Sequence, residues 1–124
     1  MSEQLLIYQK SYDLIVHLYP LVNRIPKFHK QVLGREIEHT SVVLLTLILK
    51  ANNARGPDRH RLQERISEQL DCLRILVRLT KDLKFMSVKQ YTTTAERINE
   101  IGKMLSGWMK SSQWSMIESK GESH

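Results

Sequence analysis

The chain has 124 residues and 41% of them are hydrophobic, which suits one domain with an apolar core of its own. It contains a single cysteine, Cys72, which excludes a disulfide within the chain and indicates a reducing, cytoplasmic setting. Lys and Arg number 19 against 13 Asp and Glu, and the net charge of +6 favours a polyanion or an anionic membrane surface as partner.

Membrane-spanning and secreted classes are not indicated. The apolar run from Ser41 to Ala51 is too short to cross a bilayer. The first apolar run, from Leu5 to Tyr8, is short and has no basic lead, so no signal peptide is predicted. We therefore predict a cytoplasmic protein without a membrane partner.

The first predicted helix runs from Glu3 to Asn23. Apolar and aromatic residues recur on one face of it, which predicts a buried stripe. These residues are Tyr8, Tyr12, Ile15, Tyr19 and Val22. Pro20 lies inside the helix and predicts a kink or a frayed final turn, and Pro26 marks the turn that follows.

The second predicted helix runs from Lys27 to Ala51 and carries a stripe with the same spacing. Its members are Leu33, Ile37, Thr40, Leu44, Leu47 and Ala51. The segment NNARGPD that follows combines Asn, Gly and Pro, and therefore predicts the clearest break in the chain.

Asp58 is the predicted N-cap of a third helix, from Arg59 to Lys84, and Ser87 is the predicted cap of a fourth, from Val88 to Lys110. The third helix is predicted to bury Leu62, Ile66, Leu70, Leu73 and Val77. The stripe predicted on the fourth is Tyr91, Ala95, Ile98, Gly102, Leu105 and Met109.

Four amphipathic helices with short connections predict an all-α fold, an antiparallel up-down-up-down four-helix bundle. We expect this bundle to form one domain over residues 1–111. Residues 112–124 are predicted to be a flexible C-terminal tail, in which Trp114 and Met116 are candidates to dock on the bundle.

Two helices carry more apolar surface than a monomeric bundle needs, because one buried stripe per helix suffices. A second stripe lies beside the first on the fourth helix and on the first helix. It predicts a subunit interface in a homo-oligomer, formed by Ile101, Met104, Trp108, Leu14 and Leu18. The alternative is a wide core face that Lys and Arg stems partly cover.

The segment LRILVRLTKDLK, Leu73 to Lys84, is apolar enough for burial and yet carries a basic ridge. Arg74, Arg78 and Lys81 lie within a sector of roughly 60° on a helix, and Lys84 lies farther round. One interpretation is a solvated face, because Asp71 and Asp82 are spaced to pair with the two arginines. The other is a phosphate-binding surface.

Further cations crowd the start of the second and third helices. They are Lys27, Lys30 and Arg35 on the second helix, and Arg55, Arg59, Arg61 and Arg65 around the start of the third. Antiparallel packing brings the start of the second helix near the end of the third, so we expect Lys27 and Lys30 to join Lys81 and Lys84. Repeated around an oligomer, these cations would bind nucleic acid in a salt-sensitive way. Apart from Phe85 no aromatic residue interleaves with the ridge, so base stacking is not predicted.

Residues for catalysis or metal binding are not grouped in any known pattern. The histidines lack an HExxH or CxxC partner, and Glu36 to His39 is a single Glu-x-x-His where a di-iron bundle needs a pair. No Gly-rich phosphate loop is present. We therefore predict no enzyme, no catalytic residue, no metal and no cofactor, with a bundle metalloprotein as the competing hypothesis.

Three segments, in the same order along the chain, resemble one protein family. They are LYPLVNRIPKFHK (Leu18 to Lys30), LRILVRL (Leu73 to Leu79) and EIGKMLSGW (Glu100 to Trp108). The family is that of the accessory variability determinant proteins of diversity-generating retroelements. It belongs with the four-helix-bundle proteins encoded in intervening sequences of bacterial 23S ribosomal RNA genes.

The resemblance implies a non-enzymatic protein that assembles as a pentameric barrel with a basic channel or outer surface. It implies binding to the retroelement's reverse transcriptase and to its template RNA or cDNA, in support of mutagenic retrohoming. Arg74 and Arg78 match the family's helix-three arginines, so the resemblance assigns the basic surface to these two residues. The other cations rest on charge alone. Two alternatives stay open: an intervening-sequence-type bundle that acts as a structural or general RNA-binding oligomer, and a bundle whose charge is incidental.

Overall fold

The computed structural model describes the backbone of residues 2–122 and the side chains of residues 2–113. Within the described residues the chain is entirely helical and has no strand. Helix α1 spans Glu3–Asn23, α3 spans Gly56–Asp82 and α4 spans Val88–Glu122. Helix α2 is α-helical over Lys27–His29, π-helical over Lys30–Gly34 and α-helical again over Arg35–Asn52.

Each helix packs against two neighbours, in the closed order α1, α2, α3, α4 and back to α1. The connections between consecutive helices are a few residues long, which makes neighbouring helices antiparallel. The predicted all-α four-helix class is therefore confirmed. Among the described residues, none of the helices is both long and apolar enough to cross a membrane.

Helix α1 buries a different stripe from the predicted one. Ile7, Leu14 and Leu18 are buried in the core, whereas Tyr12 and Tyr19 are 48% and 47% exposed. The predicted burial of these two tyrosines is therefore wrong. Both stripes have helical spacing, and the bundle buries the aliphatic one because a tyrosine hydroxyl needs a polar partner that water supplies outside.

The predicted subunit interface is wrong for most of its residues. Leu14, Leu18, Ile101 and Trp108 are at most 2% exposed within the single chain, so they have no surface left for a partner copy. The alternative of a wide core face is correct at these positions. Met104 is half-buried and packs against the same core, and its place at an interface stays a prediction.

Helices α2 and α3 bury the residues that their spacing predicts. Every predicted stripe residue of α2 is buried, and in α3 only Leu62 keeps some exposure. The prediction of an uninterrupted second helix was wrong at its start, where the backbone N–H of Arg35 donates to the carbonyl of Lys30 and widens one turn. Gly34 lies in this turn, and an added Cβ there would come within 3.1 Å of Val22 of α1.

Two helix ends were predicted incorrectly. Helix α3 begins at Gly56, whose φ of +57° suits glycine, and Pro57 occupies its first turn, where a missing N–H costs nothing. Asp58 is therefore in the first turn and is not the cap. Helix α4 starts as predicted, because Ser87 and Gln90 cap each other reciprocally, but it continues to Glu122 instead of ending near Lys110.

Residues 112–124 were predicted to be a flexible tail, but α4 includes residues 112–122. The domain boundary placed at residue 111 stays a prediction. The docking predicted for Trp114 and Met116 falls on side chains outside the described set.

Candidate nucleic-acid interface

The groove between α3 and α4 is organised by Arg74. Its Nη1 donates to the carboxylate of Asp71 at 2.6 Å, and its Nε donates to the side-chain oxygen of Asn99 on α4 at 3.3 Å. Its Nη2 lies over Gly102, 2.7 Å from where a Cβ would stand. The absent side chain at Gly102 thus gives the guanidinium its place, and both helices hold it there.

This α3–α4 groove consists of two adjoining hollows that share Arg74 and Asn99. The first, of about 260 Å³, is lined by Arg74, Ile75, Val77, Arg78, Tyr91, Ala95, Ile98 and Asn99. The second, of about 410 Å³, is lined by Ser67, Leu70, Arg74, Asn99, Gly102, Lys103, Leu105 and Ser106. Among these lining residues there are three cations and no carboxylate, so the groove favours an anion.

The acids predicted to pair with the ridge do so at its outer edge. Asp71 contacts Arg74, and Asp82 lies 3.7 Å from Arg78 and 3.2 Å from Lys81. The solvated-face interpretation therefore has both of its ion pairs. The exposed pair between Arg78 and Asp82 contributes about 0–1 kcal/mol, so it does not hold Arg78 against a competing phosphate. Arg78 remains 72% exposed.

Lys81 is more enclosed than the ridge pattern predicted. Its ammonium lies 4.6 Å from the ring centre of Tyr91 on α4, beside Asp82. The usual helical spacing of three or four residues does not indicate this pair, because Asp82 is adjacent to Lys81 in the chain. Lys81 thus joins α3 to α4 and points its charge toward the groove wall.

The start of α2 meets the end of α3, as antiparallel packing predicts. The rings of His29 and Phe85 lie 4.8 Å apart, which brings Lys27 and Lys30 to the same end of the bundle as Lys84. Lys84 has a φ of 66°, and the backbone N–H groups of Lys84 and Phe85 donate to the carbonyls of Lys81 and Thr80. This Schellman ending turns the chain toward α4.

The arginines around the start of α3 lie at the opposite end of the bundle, so the predicted cations do not form one surface. Arg59 is structural: its Nε and Nη2 donate to the carbonyls of Ala51 and Asn52, and its guanidinium lies 5.7 Å from the ring centre of Trp108. Arg61 pairs with Asp58. Arg55 and Arg65 are exposed and have no carboxylate within 4.0 Å among the described residues.

Sequence analysis missed the α4 side of the groove. Asn99, Lys103 and Ser106 follow one another at helical spacing with Gly102 between them, inside and just before the segment EIGKMLSGW. A polar and small stripe next to a buried one is a readable signal for a groove wall. A search for clustered Lys and Arg does not reveal this stripe, because Lys103 is its one charged member.

A basic four-helix bundle with a cationic groove is the class of protein that this fold and site define. A model of the bAvd-like family matches residues 5–112, most of the chain. The chain therefore belongs to the bAvd-like family, the resemblance noted from its three segments is confirmed, and the family indicates a role in diversity-generating retroelements. No curated protein matches the chain.

Proposed function

We propose that the chain is a non-enzymatic accessory protein of a diversity-generating retroelement, which binds the element's reverse transcriptase and its template RNA or cDNA. Family membership and the α3–α4 groove support this proposal. The observation that carries it is that the groove is lined by Arg74, Arg78 and Lys103 and by no carboxylate. Such a surface binds the phosphate backbone and is indifferent to base sequence.

Arg74 has the principal role in this proposal. Asp71 and Asn99 fix its guanidinium in one orientation, so little side-chain entropy is lost when a phosphate arrives. Arg78 and Lys103 flank it on α3 and α4. A strand that follows the groove would meet cations from both helices in succession.

We also propose that copies of the chain associate through the face formed by α1 and α2, in the pentamer that the resemblance implies. This α1–α2 face carries large exposed apolar side chains along both helices. They are Leu5, Tyr12, Val16 and Tyr19 of α1, and Val42 and Leu49 of α2. Helix α4 contacts the other edge of α1 through His17 and Lys10, so the face lies across the bundle from the α3–α4 groove.

The groove is tested by the double variant Arg74→Glu/Arg78→Glu with a mixed-sequence single-stranded RNA titrated at several salt concentrations. We expect affinity to fall by about tenfold or more and the dependence of log K on log salt to become shallower by about 1.4, because two phosphate contacts are lost. The matched control is Lys50→Glu/Lys110→Glu, two exposed cations outside the groove with the same charge change. Equal weakening by both pairs would mean that total charge, and not the groove, binds the RNA.

The protein partner is tested by co-purification with the reverse transcriptase of the retroelement, with the same two double variants. We expect the groove variant to lose template RNA from the complex. If the groove variant retains both the polymerase and the RNA at the wild-type level, and supports retrohoming, the proposed function is wrong.

The α1–α2 face is tested by the mass of the particle in solution. We expect Val16→Asp to reduce the mass to that of smaller species, because a charge would be buried at the contact between copies. Val88→Asp, an equally apolar and exposed position outside this face, is the control and should leave the mass unchanged. A wild-type chain that is monomeric at all concentrations would contradict the oligomer.

A further inference from the structure

Three aromatic rings meet at the end of the bundle where α2 starts and α3 turns into α4. Phe28 and His29 are in edge contact with ring centres 5.7 Å apart, and His29 lies 4.8 Å from Phe85. Phe28 is 83% exposed, so most of its ring faces solvent. These three residues form what we term the ring cluster. The sequence pattern did not predict it, because Phe28 is far from the ridge along the chain.

The bundle end that carries the ring cluster is strongly positive. Residues 20–34 contain no acid, and residues 80–91 contain only Asp82. The cations in the same two segments are Arg24, Lys27, Lys30, Lys81, Lys84 and Lys89. Asp82 is already in contact with Lys81 and Arg78. No carboxylate lies within 4.0 Å of Lys27 or Lys84 among the described residues.

A hollow of about 640 Å³ opens beside Phe85, and its wall carries two lysines, Lys81 and Lys84, and one carboxylate, Asp82. It adjoins the α3–α4 groove through Lys81, which also contacts Tyr91 of that groove. A strand that leaves the groove at this end therefore meets two lysines and then the ring cluster. Cations followed by an exposed ring are the combination that binds an unpaired strand, with phosphates on the cations and a base on the ring.

The backbone keeps Phe28 outside. The residues after it form the π-helical turn Lys30–Gly34, and Lys30 donates to the side-chain oxygen of Asn23 on α1. Gly34 permits α2 to approach Val22 of α1 within ordinary contact. Extra turns of this type recur at functional sites because they re-aim side chains. Lys30 is thereby held against α1, whereas Lys27 and Phe28, which precede the turn, are exposed.

We propose that the ring cluster is a stacking site for unpaired bases, with Phe28 as the base platform and Lys27 and Lys84 as phosphate contacts. The ligand is a single-stranded stretch of RNA or DNA. This inference rests on the proposed function, because it extends the strand path of the α3–α4 groove. A protein partner would fit an exposed phenylalanine equally well, but the excess of cations over carboxylates at this end favours a polyanion.

The experiment compares two probes of equal length and charge, oligothymidylate and an oligomer of abasic deoxyribose phosphates. We expect Phe28→Ala to weaken binding of oligothymidylate about tenfold, the effect of losing one stacked base. It should leave binding of the abasic oligomer unchanged, because the phosphates remain. Phe28→Trp should retain the wild-type affinity for oligothymidylate. The matched control is Val32→Ala, an exposed aliphatic position near the same end that should change neither affinity.

Five outcomes overturn this inference. Equal losses on both probes would place Phe28 in phosphate binding or folding, and an equal loss from Val32→Ala would mean a general apolar surface. No loss on oligothymidylate, together with weaker capture of the reverse transcriptase, would mean a protein interface. If Arg74→Glu/Arg78→Glu weakens both probes and Phe28→Ala weakens neither, only the stacking site is wrong. A wild-type chain that binds neither probe would overturn the proposed function as well.

Discussion

The α1–α2 face and the α3–α4 groove lie on opposite sides of one small bundle and differ in charge. The α1–α2 face leaves tyrosines and aliphatic side chains outside, whereas the groove adds two arginines, a lysine and small polar residues to apolar walls. Both sides share the same core and the same helical spacing. Helical periodicity sorts residues onto the faces of a helix. The chemistry of a face then decides whether that face is buried in the core and, if it is exposed, what it binds.

The largest expected effect on stability comes from replacing a core residue of α1 with a smaller one. Leu14→Ala should lower the free energy of unfolding by about 2–5 kcal/mol, because it opens a cavity in a closely packed core. Val16→Ala, on the α1–α2 face of the same helix, should change that energy by less than about 0.5 kcal/mol in the isolated protomer. Chemical denaturation followed by helical circular dichroism measures both.

A contrary result would be a Leu14→Ala variant that keeps its stability and loses its oligomeric state. Leu14 would then lie at a contact between copies, as its spacing first predicted.

The extent of the sequence prediction follows from the same physics. The stripes of α2 and α3 were predictable because each of these helices has one dominant apolar face. On α1 two stripes competed, and spacing alone does not distinguish Leu14 from Tyr12. The π-helical turn depends on contacts such as Gly34 with Val22, which only the folded chain brings together. The early start of α3 was readable from the chain, because Pro57 suits a first helical turn.

The candidate site was predictable on its α3 side only. Arg74 and Arg78 were found because a cation on an apolar helix is conspicuous, but the partner wall depends on which helix α3 packs against. Arg59 was predicted to bind nucleic acid because it is a cation near a loop. Its role is structural instead, because it donates to the carbonyls of Ala51 and Asn52.

A substitution in the turn from α3 to α4 should have a smaller effect on the free energy of unfolding, and this effect should be a gain. Lys84→Gly should raise the free energy of unfolding by about 1 kcal/mol, because glycine adopts the positive φ of this position without a Cβ clash. Lys84→Ala is the control, since it removes the charge but keeps the Cβ, and it should give no such gain. Equal stabilities of the two variants would show that the backbone at this turn is not strained.

A double-mutant cycle sharpens the role of Gly102 in the groove. Gly102→Ala should gain up to about 1 kcal/mol in helix propensity when Arg74 is also changed to Ala. With Arg74 present the gain should be smaller, because the new Cβ displaces the guanidinium from Asp71 and Asn99. Thermal or chemical unfolding of the four proteins gives the coupling. Additive effects would mean that Arg74 does not rest on Gly102.

The smallest effect is a pH dependence at the seam between α1 and α4, where neither exposed face is involved. The Thr94 hydroxyl can donate to the carbonyl of Gln90, so His17 Nε2, 2.8 Å away, donates to Thr94 in turn. Burial, and then the positive charge of Arg97, lower the pKa of His17 from its usual 6.5. The unfolded chain therefore takes up a proton more readily than the folded one.

It follows that His17 should cost stability only at acid pH. Above its unfolded pKa both states are neutral, and as the pH falls below 6.5 the free energy of unfolding should fall more for the wild type than for His17→Gln. The glutamine amide can still donate to Thr94, so the difference between the two pH profiles isolates His17. Parallel profiles from neutral to acid pH would mean that the imidazole is solvated, and that the α1–α4 seam is as open to water as the two faces beside it.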